Sequence, residues 1–305
     1  MSKWKKLLKP GPKSGTKNKS QLELPLERTR EPDRNFHRGG RSFYFFDFDD
    51  NVAFLTTPMF LFHRETRQEI MISSREFGEQ SAYIGRSGKF ADYILDPDPA
   101  FGSFRCFRDK DLSWLEKLLG RRQLFVQDLA ASLGLPDVHW KGPSWSCFYH
   151  AVFNSRPLAL ITARGHHPKT IADGIRLWVN EGHLPQDPNY LAIYPVSHPG
   201  TKKHLQMEGN DSIPHLKQRA IRAAVLKAIA VYGNSPHHRF GMSDDDPRNI
   251  EWITQEMQQL KREYPQMSFF IIQTHGDQVL KSEVFADYVA DSVVQSESQM
   301  RLFED

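Results

Sequence analysis

The chain has 305 residues, 39% of them hydrophobic and 25% charged, enough apolar material for one large domain or two of ordinary size. No apolar run approaches the roughly 20 residues that span a bilayer, and two cysteines exclude both a disulfide scaffold and a four-thiolate zinc site. The formal charge of +3 is uneven: residues 1–42 hold 12 Lys/Arg against 4 Asp/Glu, and the remainder 28 against 33.

Residues 1–41 are rich in Lys, Arg, Pro, Gly and Ser, with few large apolar side chains after Leu8. Such a segment buries too little surface to offset its ordering entropy, so a basic disordered arm is expected. It reads either as a solvated tail or as a contact for nucleic-acid phosphate or an anionic surface. The opening residues lack the apolar stretch of a secretory signal, and the cysteine usage suits a reducing compartment, so the expected location is cytoplasmic.

Order is expected from Ser42. The run SFYFF before an acidic cluster suits a strand buried on both faces of a parallel sheet. Residues 58–77 read as a hairpin around RETRQE. Two helices are predicted further on, in DLSWLEKLLG, with Asp111 or Ser113 as cap and Gly120 as stop, and in QDLAASLGL. Alternation returns after Pro143: a helix in SWSCFYHAVFN, a strand in RPLALITARG, a helix in KTIADGIRLWVNEGH and a strand in NYLAIYPVS. A long helix from Ile213, a strand in HRFGMSDDD, a helix in NIEWITQEMQQLKREYP and a last strand in MSFFIIQTHG complete the pattern. Strand–helix alternation at this spacing predicts an α/β fold with a doubly wound, mostly parallel sheet, whose ligand sits at the carboxyl ends of the strands.

Three predicted strand ends carry polar groups: Asp47, Asp49 and Asp50; Thr162 with Arg164; and Asp244, Asp245 and Asp246. Carboxylates converging from separate strands raise one another's pKa unless a cation sits among them, and hard oxygen ligands suit Mg²⁺. Asp246 before Pro247 also reads as a helix cap. The pairs His166-His167 and His237-His238 lack zinc-ligand spacing, and Cys106 and Cys147 read as core thiols.

In order along the chain, FYFFDFDDN (43–51), LALIT (158–162), a lysine and SDDDPRNI (243–250) resemble the motifs of the haloacid dehalogenase (HAD) superfamily. The resemblance spans roughly residues 42–275 apart from an insertion. Two positions depart from the family pattern: Asn51 stands where Thr or Val is usual, and Asn249 where a second fourth-motif Asp is usual. The fourth motif reads either as Asp244 with Asp245 or as Asp245 with Asn249.

The resemblance implies a HAD-like domain over 42–305, with a flap hairpin and cap inserted at about 52–156. It implies Asp47 as nucleophile, Asp49 as acid and base, and Thr162 as a donor to phosphoryl oxygen. Lys217 is the preferred phosphate-side ammonium, with Lys202 and Lys203 as alternatives. Mg²⁺ would be held by Asp47, Asp49 (through its carbonyl), Asp244 and Asp245. Arg75, Arg105 and Arg108 of the insertion are candidates for meeting an anionic substrate. The expected activity is Mg²⁺-dependent hydrolysis of a phosphate monoester, on a small molecule, through an aspartyl-phosphate. The alternatives are a non-catalytic HAD-like module that uses residues 1–41 on nucleic acid or an anionic surface, and a polynucleotide phosphatase.

Overall fold

The computed structural model describes residues 29–207, 211–275, 278–291 and 293–294. Residues 32–305 form one compact unit; of the separate unit 1–31, only residues 29–31 are described, in no regular element. The expected arm therefore lies, for residues 1–28, outside the described residues. Residues 33–41, read as the end of that arm, are tied to the body. The buried Asp33 accepts from the Ser42 backbone N–H at 2.9 Å and pairs with Arg156 at 3.3 Å, and Asn35 donates to the His237 carbonyl at 2.9 Å. A charge count over the whole segment conceals two polar side chains that each satisfy a specific backbone or charged group.

The first strand, β1 (Ser42–Phe46), is buried throughout. Phe43 and Phe45 enter one core cluster and Tyr44 and Phe46 the other, which is why the run is apolar without alternation. β2 (Met59–His63) and β3 (Glu69–Ile72) form the predicted hairpin, but it ends early. Ser73 caps α1 (Ser74–Gln80) by accepting from Glu76 N–H at 3.1 Å, and local capping overrides continuation of the strand. β4 (Tyr93–Ile94) adds a third strand, and Met59, Leu61, Ile72 and Phe90 give this small sheet its own core.

Both helices predicted next are present. α2 (Trp114–Leu118) starts at a capping box between Ser113 and Glu116, and α3 (Leu124–Ser132) follows. α4 (Asp137–Trp140) is a single turn that periodicity did not reveal. α5 (Trp145–Phe153), β5 (Leu158–Thr162), α6 (Pro168–Asn180) and β6 (Tyr190–Pro195) match the predicted alternation. Lys202 and Lys203 lie on the short helix α7 (Pro199–His204). Then come α8 (Ile213–Tyr232), β7 (Arg239–Asp244), α9 (Pro247–Glu263) and β8 (Ser268–His275). β8 is not the last strand: β9 (Gln278–Val284) returns antiparallel to it, and β10 (Val293–Val294) pairs with β9.

The large sheet has the order β10-β9-β8-β7-β1-β5-β6. Its five strands from β8 to β6 are parallel and the two at the edge antiparallel, giving a mixed, mostly parallel sheet flanked by helices in a broadly Rossmannoid arrangement. Phe125, Phe148, Ile171 and Trp178 of α3, α5 and α6 cover one face; Leu216, Ala220, Ile253 and Met257 of α8 and α9 cover the other. Gly174 on α6 permits close packing against α3, since a Cβ there would lie 2.6 Å from Leu129 Cδ1. From β1 the chain fills β5 and β6 on one side, then returns to β7 and β8 on the other. The carboxyl ends of β1, β5 and β7 therefore meet where strand order reverses, the usual ligand position in open α/β sheets. Among the described residues, no helix is long and apolar enough to cross a membrane.

Candidate functional site

Parallel pairing of β1 with β7 places Phe46 opposite Ser243, and Asp47 N–H continues the ladder to the Ser243 carbonyl at 2.8 Å. Asp47 and Asp244 thus leave neighbouring strands side by side. Asp245 joins them: one carboxylate oxygen from each of the three lies within 4.8 Å of the others. Asp47 is 7% exposed and Asp244 fully buried.

Lys217 answers this charge from the first turns of α8. Its Nζ stands 2.7 Å from Asp244 Oδ2 and 3.1 Å from Asp47 Oδ1, with the side chain buried. Burial alone would lower its pKa, but Asp244 and Asp47 more than offset that and hold it above the ordinary lysine value. Burial raises Asp47 well above the usual carboxylate range; Lys217 opposes the rise, and Asp244 and Asp245 add to it. Asp245 is pushed up to about 7 by burial and by Asp244. One ammonium among three acids leaves negative charge to neutralise, and this donor set fits a hard divalent cation.

Those shifts set a pH dependence. In metal-free protein, Asp47 and Asp245 titrate above unfolded aspartate, so their protonated forms favour folding and that contribution is lost as pH rises towards about 7. Mg²⁺ is expected to raise the thermal midpoint clearly at pH ~8 and little at pH ~5, because protons compete for the same oxygens. Scanning calorimetry with Mg²⁺ and with EDTA checks this; equal stabilisation at both pH values would contradict it.

Asn51 is a fully buried hub. Its Nδ2 donates to the carbonyls of Asp47 (3.2 Å) and Ser243 (3.1 Å). Its Oδ1 accepts from the hydroxyls of Ser144 (2.8 Å), Ser243 (3.1 Å) and Thr274 (3.0 Å). It stitches the ends of β1, β7 and β8 to the start of α5. Gly142 lets that chain approach, since a Cβ there would lie 2.3 Å from the Asn51 carbonyl oxygen. Asn51→Ala strands buried donors and acceptors at both ends and is expected to cost about 3 kcal/mol or more, measured by urea unfolding.

Asp49 stands apart from the three-acid cluster. Its carboxylate accepts from Arg164 Nε (2.8 Å to Oδ2) and Nη2 (2.6 Å to Oδ1), with Thr162 Oγ1 3.5 Å from Oδ2. Asp50, at φ 57°, turns the chain beyond it and is raised to about 6 by burial and by Asp49. Asn249 donates to Asp244 Oδ1 at 2.9 Å, so it orients that carboxylate, and Asp246 caps α9 as expected.

The structure thus brings Asp47, Asp244, Asp245 and Lys217 together, with Asp49 and Thr162 in a neighbouring pair. Lys202 is half-buried and Lys203 exposed on α7. Arg105 is occupied by Glu69 at 2.9 Å and stacks on Phe60, and Arg75 lies over the Phe54 ring. His167 caps α6, whereas His166 is fully buried, and burial with Arg164 nearby pushes it down to about 2. Cys106 and Cys147 are buried and not disulfide-bonded. Sequence reasoning assigned no role to Ser144, Ser243, Thr274, Thr57 or Asp128; only chain proximity reveals them. Compared with protein-family models, curated proteins and solved structures, the chain matches none.

Proposed function

We propose that the chain is a Mg²⁺-dependent phosphatase of haloacid dehalogenase type, hydrolysing a phosphorylated small molecule in the cytoplasm. The observation that carries this reading is the buried Lys217 ammonium bridging Asp47 and Asp244, with Asp245 alongside, where strand order reverses. Asp47, Asp244 and Asp245 would hold the cation, which when bound supplies positive charge against the phosphate dianion.

The chain's own residues then divide the work. Asp47 attacks phosphorus and forms an aspartyl-phosphate as the bond to the leaving oxygen breaks. Asp49 gives that oxygen a proton, then takes one from the water that opens the intermediate. Lys217 keeps Asp47 oriented and offsets charge on the transferring group, and Thr162 would donate to a phosphoryl oxygen.

Phosphate release from p-nitrophenyl phosphate and a panel of phosphorylated metabolites, with Mg²⁺ and with EDTA, tests the reading. Turnover that requires Mg²⁺ supports it; no release from any ester, with no BeF₃⁻ adduct at Asp47, overturns it. The excess of basic residues in 1–42 favours a second reading, a polynucleotide phosphatase or a non-catalytic module on an anionic surface. Deleting residues 1–31 separates them: a small-molecule enzyme keeps its rate, whereas a nucleic-acid enzyme loses affinity and its salt dependence.

A further inference from the structure

Arg164 is among the most deeply buried charged side chains, at 0% exposure, and its surroundings come almost entirely from the segment between β1 and β5. Its guanidinium lies over the rings of Phe107 (4.7 Å to the centroid) and Phe125 (4.8 Å). Nη2 also donates to Thr57 Oγ1 at 2.9 Å, and that hydroxyl donates on to Asp128 Oδ2 at 2.5 Å. On its other side the same guanidinium grips Asp49 with a two-point fork. A planar fork restricted by two ring contacts and the Thr57 hydroxyl passes its orientation to the carboxylate it binds.

We propose that Arg164 is a positioning residue that aims Asp49 at the leaving oxygen, and that the inserted segment sets its position through Phe107, Phe125, Thr57 and Asp128. The inference rests on the phosphatase reading. During the reaction the Asp47 oxygen–phosphorus bond forms, the bond from phosphorus to the leaving oxygen breaks, and the leaving oxygen takes the Asp49 proton. Water then gives a proton to Asp49 as its oxygen bonds to phosphorus, and the Asp47 oxygen–phosphorus bond breaks to release inorganic phosphate, so the cycle balances. Both Asp49 oxygens accept from Arg164, so the clamp fixes the plane in which that carboxylate lies. The insertion thereby acts on proton delivery.

Leaving-group dependence separates positioning from a structural role. A good leaving group such as p-nitrophenolate needs little protonation, whereas an alkyl alcohol needs it. Arg164→Lys, which keeps the charge and loses the fork, is expected to lower kcat on an alkyl phosphate about tenfold more than on p-nitrophenyl phosphate. Thr57→Val, which keeps the arginine and removes one of its anchors, should show the same bias more weakly and carries the test if Arg164→Lys fails to fold. Adding Arg164→Lys to Asp49→Asn should cost nothing further, because the two side chains act as one unit. Equal losses on both esters, or additive losses in the double variant, overturn the inference and leave the phosphatase reading standing. If wild type releases phosphate from no ester of the wider panel and forms no BeF₃⁻ adduct at Asp47, the phosphatase reading falls and this inference with it.

Discussion

Asp47→Asn is expected to lower phosphate release by at least about 10⁴-fold, the scale on which loss of a covalent nucleophile is felt. The amide matches the carboxylate in shape but cannot attack phosphorus. Folding should survive, because Asp47 is a carboxylate whose ionisation burial opposes, and the neutral amide relieves repulsion with Asp244 and Asp245. The thermal midpoint in EDTA should therefore stay level or rise while activity disappears. Single-turnover assays with radiolabelled ester should also lose the acid-stable protein-bound phosphate that the phosphatase reading expects of wild type. A variant that retains a tenth or more of the activity would remove Asp47 from the nucleophile's role.

Lys217→Met is expected to produce the largest loss of stability, about 3–5 kcal/mol near neutral pH, the usual cost of stripping a buried charge cluster of its partner. The methionine fills similar volume, so packing contributes little. What remains is Asp47 and Asp244, both buried, with their compensating ammonium gone. The loss should shrink towards pH ~5 as Asp47 and Asp245 protonate, and Mg²⁺ should restore more stability to the variant than to wild type. Urea unfolding at two pH values, with and without Mg²⁺, measures both effects. A loss that is independent of pH and Mg²⁺ would mean that Lys217 serves packing alone.

The same residues show how far the sequence reaches. SFYFF announced a strand buried on both faces, because only a strand covered on two sides is apolar at every position. Helical periodicity likewise located α6, α8 and α9. β9 was missed because QVLKSEV mixes polar residues into a strand near the sheet edge, where one face tolerates them. α4 and α7 are too short for a periodic signal.

By itself the sequence determined the α/β alternation and the acidic ends of two strands, since both follow from local pattern: period 2 or 3.6, and where an apolar run stops. Tertiary structure alone decided which groups meet. Parallel register set Asp47 beside Asp244, and the packing of α8 carried Lys217 to both. Asn51 looks like a weakened motif position in the sequence and is a five-bonded junction of the strand ends in the fold. Its partners Ser144, Ser243 and Thr274 are 93 to 223 residues away, so no local pattern encodes them. Arg164 is the same case: a basic residue after a strand reads as surface charge, and only the rings and hydroxyl brought over it by the inserted segment make it a buried clamp on Asp49.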